Sequence, residues 1–449
     1  MKTVVISRLL ITFILFHSSS QETGAQSISG VINNYYRVTA INTGTNQLTL
    51  NTAAGLTVGA RVLMIQMKGA TIDNSNTTSF GDVTARNNAG NYEFNHICAI
   101  AGNQVLLARP LLRSYTPVAS VQLVSYPVYD NVTVTGTLTA SPWNAATGTG
   151  GVLVMEASTI FLNSNIDVSG QGFTGGALVN FPTPGYDCHT LVPVDNFYLP
   201  FMPAGGPEYV SAAPKGEGIA AFIASAEYAR GKQANGGGGG NNHNSGGGGG
   251  SNYGAGGQGG TKSLEGAFHC HGQGPGLGGF ALSGQGYTTG NNRIFLGGGG
   301  GAGHQNNNVG MPGGAGGGIA IVIADIIVGS GTRILANGAR PVNNTLADPL
   351  SAGGDGGGGG GGGGTVILNI NSITGNIEAS ATGARGSDAA RTGTTNDCPG
   401  SGGGGGGGVV WTNGAGPIAN LTRVVNGGTS GTGSPLYMEI GRASCRERV

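Results

Sequence analysis

Apolar and polar residues alternate along the first part of the chain, with the period of two that predicts β-strands. Arg37–Ile41 alternates in this way, and Gln47–Leu50 follows after a short polar turn, as in a β-hairpin. Residues 99–107 repeat the same plan. The other strand-like segments are Arg61–Met67 and Ser120–Val124. Since no segment has a strong helical period, we predict an all-β N-terminal domain over residues 27–142, folded as a small β-barrel or β-sandwich.

A different pattern, repeated three times, begins near residue 143. Each copy has glycine residues followed by an apolar strand, a short turn and a second strand that ends in small residues. The three copies are Gly151–Gly170, Gly318–Gly338 and Gly364–Ser380. Because a unit of this size cannot bury its apolar face alone, such repeats are typical of the coils of a β-solenoid. We therefore predict a glycine-rich, β-solenoid-like domain over residues 143–438, with an insertion over residues 173–317.

Runs of glycine lead into these apolar strands, and glycine supplies 92 of the 449 residues. Two of the longest runs are Gly356–Gly364 and Gly402–Gly408. Such runs are either flexible linkers or packed polyglycine-II helices. The latter are left-handed, have three residues per turn like polyproline II, and pair backbone to backbone. Since linkers rarely recur inside a domain between apolar strands, we expect ordered polyglycine-II packing.

The N-terminus has the three parts of a secretory signal peptide. Lys2 and Arg8 are basic, and Leu9–Phe16 is apolar. Thr23–Ala25 supplies small residues for cleavage. The apolar stretch is too short to span a bilayer, and no later segment is apolar over about 18 residues. We therefore predict a signal peptide over residues 1–25, no transmembrane helix, and a protein that is secreted or held at the outer cell surface.

The C-terminal tail differs in composition from the rest of the chain. Five of the eleven residues of Glu439–Val449 are charged, whereas only 9% of the whole chain is charged. Back-translated with suitable codons, the tail spells a common short-read sequencing adapter. We therefore expect residues 439–449 to be an artefact and the natural chain to continue past about Met438. Cys445 then carries no functional meaning.

The charge balance bears on the class of partner. The signal peptide and the tail together hold five of the 21 Lys and Arg and three of the 21 Asp and Glu, which leaves 16 basic and 18 acidic residues. A mature chain with a slight negative charge and no basic cluster does not suit nucleic acid. It does not suit an anionic membrane surface either. We therefore predict no nucleic-acid partner.

Four cysteines remain once the tail is set aside. They are Cys98, Cys188, Cys270 and Cys398. An even number in a secreted chain predicts disulfides, and four cysteines allow three connectivities. The sequence does not choose among them, although Cys188 with Cys270 is favoured because both lie in loop-like insertions near glycine blocks.

Histidines beside two of these cysteines suggest an alternative metal site. Cys188, His189, His269, Cys270 and His271 could supply a Cys₂His₂ zinc site if the insertions meet. An exported chain usually oxidises its thiols, which favours the disulfide. Gly-x-Gly-x-x-Gly patterns occur repeatedly, but they are expected by chance in a chain so rich in glycine. We predict no metal and no cofactor.

Three segments carry a resemblance to a known group of proteins. They are Val58–Ala70, Arg230–Lys232 leading to Asn235, and Ile294–Leu296 before Gly297–His304. In these segments the chain resembles glycine-rich, adhesin-like surface proteins of gliding Bacteroidota-type bacteria. The resemblance implies export by a dedicated outer-membrane route and a C-terminal sorting domain; the sequence carries none, which fits the expected truncation. The glycine blocks are also similar to the polyglycine-II regions of anaplastic-lymphoma-type receptor kinases, in local packing alone.

These observations predict a non-enzymatic structural or adhesive protein of the cell surface. A rigid glycine-rich scaffold would present polar loops to a glycan, the extracellular matrix or the cell's own surface, since binding residues concentrate on loops held by a scaffold. The candidate contact residues are Asn241, His243, Asn244, Tyr253, His304 and Asn306.

The alternative function is a polysaccharide lyase or glycoside hydrolase on a β-helix scaffold. Cleavage of a glycosidic bond by hydrolysis requires two carboxylates at a fixed separation. The available carboxylates are Glu156, Asp167, Glu208, Glu217, Glu227 and Glu265. Nothing in their spacing favours a pair, so we expect no catalytic residues.

Overall fold

The computed structural model describes residues 25–179, 196–198, 212–241, 244–261, 263–264, 274–285, 287, 293–305, 308–389, 397–413 and 417–433. Residues 1–24 of the predicted signal peptide and the predicted artefact at 439–449 lie outside these ranges. The regular secondary structure of the described residues is almost entirely β, which confirms the predicted class. The 3₁₀ turns are Pro117–Ala119 and Ser283–Gln285.

The strands, in chain order, are β1 Gln26–Val31, β2 Asn34–Asn42, β3 Gln47–Leu50, β4 Arg61–Gln66, β5 Thr71–Ile72, β6 Val83–Ala85, β7 Tyr92–Ala101, β8 Gln104–Leu107, β9 Val121–Tyr126, β10 Val128–Thr139, β11 Val152–Leu162, β12 Ile166–Asp167, β13 Ser263–Leu264, β14 Ile319–Gly329, β15 Thr332–Leu335, β16 Ser351–Ala352, β17 Thr365–Thr374, β18 Ile377–Ser380, β19 Asp388–Ala389, β20 Asp397–Cys398, β21 Val409–Thr412 and β22 Leu421–Val424.

Six antiparallel strands close into a barrel in the order β2-β3-β8-β7-β4-β9. Of the two architectures predicted for the N-terminal region, the barrel is therefore the one formed. Alternation along β4 sends Val62 and Met64 into the barrel core and Leu63 and Ile65 to a second core outside it. Both faces of β4 are buried for this reason, which explains its unbroken apolar run.

The second sheet has ten strands, all paired in parallel, in the order β21-β17-β14-β11-β10-β12-β15-β18-β22, with β1 added on β10. The three repeated segments stack in register, so that Leu153 pairs with Ala320 and Ala320 with Val366. Their second strands stack in the same way through β12, β15 and β18. Residues from both sets of strands share one buried apolar core.

The boundary between the barrel and the large sheet differs from the predicted one at residue 142. Both β1 and β10 belong to the region of the predicted N-terminal domain, yet β1 pairs with β10, and β10 pairs with β11 in the large sheet. The barrel strands therefore lie between Asn34 and Tyr126. A parallel strand needs a long return connection, and the whole barrel supplies that connection between β1 and β10.

The longest glycine run is buried and paired through its backbone. Amides of Gly356, Gly359 and Gly362 donate to the carbonyls of residues 304, 301 and 298, at 2.8, 2.9 and 2.9 Å. The next amides along, at residues 357, 360 and 363, donate to the carbonyls of residues 400, 403 and 406. In these two sets, every third amide thus faces the same neighbouring segment. A Cβ added at Gly359 would lie 2.0 Å from the Gly248 oxygen, so this packing excludes any side chain.

Candidate binding surface

The barrel is fixed to the rest of the protein by a buried carboxylate. Lys68 Nζ, just beyond β4, lies 2.6 Å from Glu217 Oε1, and Glu217 is 2% exposed. Trp143 Nε1 donates to both oxygens of Glu217 at 3.0 Å. Thr174 donates to Oε2 through its hydroxyl at 2.8 Å and through its amide at 3.2 Å. The carboxylate is thereby saturated, as a buried charge must be, and it holds the barrel in one position against the sheet.

This docking leaves a groove between the barrel and the outward face of the large sheet. Tyr92 and Phe94 lie on one face of β7, since residues two apart on a strand share a face. Ile323, Ile367 and Trp411 face them from β14, β17 and β21. The cavity between these side chains is about 310 Å³, the lower end of the range of small-molecule sites. We call it the aromatic half of the groove.

The aromatic side chains of this half are held by contacts with one another. Phe94 packs edge to face against Tyr92 and Tyr126, with ring centroids 6.3 and 5.8 Å apart. Trp411 packs against the buried Tyr287 at 5.1 Å. Phe94 nevertheless keeps 37% of its surface exposed. Rings that are fixed in place and partly exposed are available to a ligand at little further cost in side-chain entropy.

A second cavity adjoins the first and shares Tyr92 and Phe94 with it. It measures about 750 Å³ and is lined also by Glu93, Arg109 and Arg113. We call it the charged half of the groove. The Glu93 carboxylate accepts the backbone amides of Leu112 at 3.0 Å and Arg113 at 3.3 Å, which holds the 109–113 loop against β7.

Two further arginines lie behind the charged half. Arg293 forms an isolated antiparallel bridge with Asn91, next to Tyr92, and its Nη1 donates to the Ala89 carbonyl at 2.8 Å. Burial lowers the pKa of Arg293, and repulsion from the guanidinium groups of Arg86 and Arg113 lowers it further. Burial also lowers the pKa of Arg86. Positive charge is therefore concentrated at this end of β7.

The candidate contact residues have different surroundings from one another. Tyr253 is 44% exposed, whereas Asn241, Asn244 and His304 are buried. The exposure that we expected of loop contacts is therefore found for Tyr253 alone among the four. His304 Nδ1 accepts the backbone amide of Asn244 at 3.1 Å, and Asn244 Nδ2 donates to the Gly354 carbonyl at 2.9 Å. These side chains extend the pairing of the glycine segments. His243 and Asn306 lie outside the described residues.

Two buried asparagines that sequence reasoning did not single out as site residues serve the same network. Asn235 accepts the Ile219 amide at 2.8 Å and donates to the carbonyls of Ser251 and Leu296 at 3.3 and 3.2 Å. Asn252 donates to Gly363 and Gly364 at 2.9 and 3.0 Å. Their position beside glycine runs was the available signal, because a buried backbone carbonyl needs a donor.

Most residues of the predicted disulfides and of the alternative zinc site lie outside the described residues. Cys98 is an exposed, free thiol on β7. Cys398 lies in β20, and its side chain is not described. Cys188, Cys270, His189, His269 and His271 lie outside the described residues, so both the disulfide and the zinc alternative stay predictions. Within the described ranges, no three His, Cys, Asp or Glu side chains come together as a metal site would need.

The described part of the chain contains no helix with the length and hydropathy that crossing a membrane would require. No protein-family model matches the chain, and no curated protein or solved structure is significantly similar to it. The geometry of the glycine segments and of the groove is therefore the basis for inferring function.

Proposed function

We propose that this is a secreted, non-enzymatic structural or adhesive protein of the outer cell surface. A rigid glycine-rich scaffold holds the groove and the exposed loops toward a glycan, the extracellular matrix or the cell's own surface. The observation that carries this proposal is the three-residue period with which Gly356–Gly364 pairs to the segments around it.

We infer polyglycine-II packing from that period. A left-handed helix with three residues per turn directs successive amides at three neighbours and returns to the first at every third residue. The pairing of Gly298, Gly301 and His304 with residues 251, 248 and 245 has the same period. We also infer solenoid-like coils, because each repeat stacks on the last in register through both of its strands.

Such a layer would be stiff for a simple physical reason. Its amides and carbonyls pair with one another away from water, and a buried backbone group that loses its partner costs about 1–3 kcal/mol. Bending the layer would break several such pairs together. A stiff frame suits a protein that presents a surface, since binding residues work best on a scaffold that holds them in place.

The arrangement of Glu217 weighs against the polysaccharide-degrading alternative. Its two oxygens are engaged by Lys68, Trp143 and Thr174. A catalytic acid or base must reach the substrate directly or through one water, and a saturated carboxylate at 2% exposure does not. Glu217 is therefore assigned to the architecture of the protein.

Two measurements on the purified full chain test the proposal. Hydrogen exchange should show the amides of Gly356–Gly364 protected for hours, because they are buried and paired. Exchange of these amides within seconds would contradict the proposal of a rigid scaffold.

Beads coated with the protein should attach to glycan- or matrix-coated surfaces under flow. If the beads attach to none of these surfaces, the adhesive role is contradicted. If the protein releases shortened products from polysaccharides, the enzymatic alternative is supported instead.

A further inference from the structure

The two halves of the groove adjoin each other. Tyr92 and Phe94 line both cavities, so a chain-like ligand that follows these two rings contacts both halves. Each cavity alone falls within the 300–1,000 Å³ range of small-molecule sites. The two cavities together therefore offer more volume than a single sugar ring would occupy. The shape therefore suits a short stretch of polymer.

The aromatic half suits the faces of sugar rings. Phe94, Tyr92 and Trp411 present flat apolar surfaces at the groove. The exposed side chains of Asn369 and Asn413 stand beside them. A sugar ring has an apolar face of C–H groups and an edge of hydroxyls, so it needs an aromatic platform flanked by amide donors and acceptors.

The charged half is cationic. Arg109 and Arg113 line it, and Arg86 and Arg293 lie behind it. Of its lining residues, Glu93 is acidic, and its carboxylate already accepts two backbone amides. In addition, Arg86 Nη1 is buried and has no hydrogen-bond partner among the described residues. Because guanidinium groups outnumber carboxylates here, the charged half favours a ligand that carries carboxylates. A guanidinium group can pair with a carboxylate through two parallel hydrogen bonds.

We propose that this groove binds a carboxylated polysaccharide, a chain of uronic acid residues. The sugar rings stack on Phe94 and Trp411 in the aromatic half, and a carboxylate of the same chain pairs with Arg109 and Arg113 in the charged half. Glu93 accepts hydroxyls there. The inference rests on the proposed function and specifies the class of glycan and the place where it binds.

A single-stranded nucleic acid also combines stacking rings with negative charge, and it carries one charge per residue as a polyuronate does. Proteins that bind nucleic acid have basic surfaces that neutralise phosphates along the backbone. The predicted mature chain has 16 basic and 18 acidic residues, and Glu93 lines the groove together with Arg109 and Arg113. We therefore favour the polyuronate, whose hydroxyls can donate to Glu93.

The test is a titration of the purified full chain with polygalacturonate oligosaccharides, followed by Trp fluorescence and by calorimetry. Neutral glucan oligosaccharides, dextran sulfate and a single-stranded DNA oligonucleotide of similar length are the comparison ligands. We expect the polyuronate to bind most tightly, and its affinity to fall as salt is raised, because the arginines are partly exposed.

Substitutions then locate the site. Arg109→Gln removes an exposed charge from the groove and should weaken polyuronate binding about fivefold. Phe94→Ala should weaken it about five- to tenfold through the loss of stacking. Arg333→Gln, an exposed arginine on β15 that does not line the groove, is the matched control and should change nothing. Equal thermal unfolding midpoints of the variants show that folding is unaffected.

Several outcomes would overturn the proposal. Polyuronate binding that Arg109→Gln and Phe94→Ala leave unchanged would place the site elsewhere. If the neutral glucan binds as tightly as the polyuronate or more tightly, the arginines do not contribute to binding as proposed. Tighter binding of dextran sulfate would assign the groove to sulfate groups, and tighter binding of DNA would assign it to nucleic acid. No polyuronate binding by a protein whose coated beads still attach to other surfaces would refute this inference and leave the proposed function standing.

Discussion

Lys68 Nζ and Glu217 Oε1 lie 2.6 Å apart, and this ion pair joins the barrel to the glycine-rich part of the protein. Lys68 follows β4, whose outer face packs against the large sheet. The side chain of Lys68 is 13% exposed and that of Glu217 is 2% exposed. The pair is thus shielded from water, and it fixes the barrel position that creates the groove.

Removing the cation of this pair should be costly. Lys68→Met leaves the Glu217 carboxylate buried without its charge partner, and we expect a loss of about 3 kcal/mol in the free energy of unfolding. The double variant Lys68→Met/Glu217→Gln should lose less than the sum of the two single variants, because no uncompensated charge remains. Denaturant unfolding with an unchanged m value provides the measurement. Additive effects of the two substitutions would show that the pair does not interact.

A methyl group inside the glycine layer should destabilise the protein. Gly359→Ala places a Cβ about 2.0 Å from the Gly248 oxygen, a backbone atom that cannot turn aside. Overpacking of this kind costs about 1–3 kcal/mol. Gly284→Ala is the matched control, since a Cβ there meets nothing within 4 Å. The two variants should differ clearly in thermal midpoint, and equal midpoints would contradict the close packing of the run.

A chain of hydrogen bonds links Tyr287, Thr365 and Phe295 beneath the groove. Thr365 Oγ1 donates to the Phe295 carbonyl at 2.7 Å, so the Tyr287 hydroxyl, 2.8 Å away, must donate to Thr365. Burial raises the pKa of Tyr287 well above its ordinary value, so the hydroxyl stays protonated and remains a donor at neutral pH.

Breaking this chain at its centre should cost more than breaking it at its end. Tyr287→Phe removes one hydrogen bond and should cost about 1 kcal/mol. Thr365→Val leaves the Tyr287 hydroxyl without this acceptor and leaves the Phe295 carbonyl with only the 3.5 Å contact from Asn252 Nδ2, so it should cost about 2 kcal/mol. Equilibrium denaturation of the two variants gives the comparison. A smaller loss for Thr365→Val than for Tyr287→Phe would reverse the assigned direction of the bonds.

Acid should weaken one contact near the end of the described chain. Burial by itself would raise the pKa of Asp388, but hydrogen bonds from Arg385 and Thr432 outweigh it and hold the pKa at about 2. The unfolded-state pKa is about 3.9. A lowered folded-state pKa means that this stabilisation is complete above the unfolded value and is lost as pH falls through the folded value.

The pH profile of an Asp388 variant tests this sign. Because the pair is about 30% exposed, with side-chain exposures of 29% and 31%, we expect Asp388→Asn to cost only about 0.5–1 kcal/mol at pH 7. The difference from the natural protein should shrink between about pH 4 and pH 2 and vanish below that. A difference that stays constant across this range would show that the charge of Asp388 contributes nothing. Thermal unfolding at a series of pH values provides the curve.

The strands of the repeated unit could be predicted from sequence because their signal is local. Each apolar segment, such as Val152–Ala157, has its own glycine lead and its own β-forming residues. The same holds for the hairpin of Arg37–Leu50. The choice between barrel and sandwich could not be made, since closure depends on β2 meeting β9, which lie more than eighty residues apart.

The groove could not be predicted from the sequence either, because it also depends on contacts between distant segments. Tyr92 and Trp411 are far apart in the chain and carry no shared motif. They meet only because the parallel sheet stacks β21 beside β17 and the barrel docks against that edge. The buried asparagines are another such case: Asn252 reads as a polar loop residue, and only its donation to Gly363 and Gly364 reveals a structural role.

The sequence by itself determined the β class, the repeated strands and the places where side chains are absent. These features are local, because alternation and glycine content act on the backbone where they occur. The tertiary structure alone decided which segments surround each glycine run. A residue without a side chain carries no mark of its partner, so the pairing of Gly359 with Gly301 follows only from the fold. Contacts between distant segments also bring Trp411 to Tyr92 and Phe94 and complete the proposed polyuronate groove.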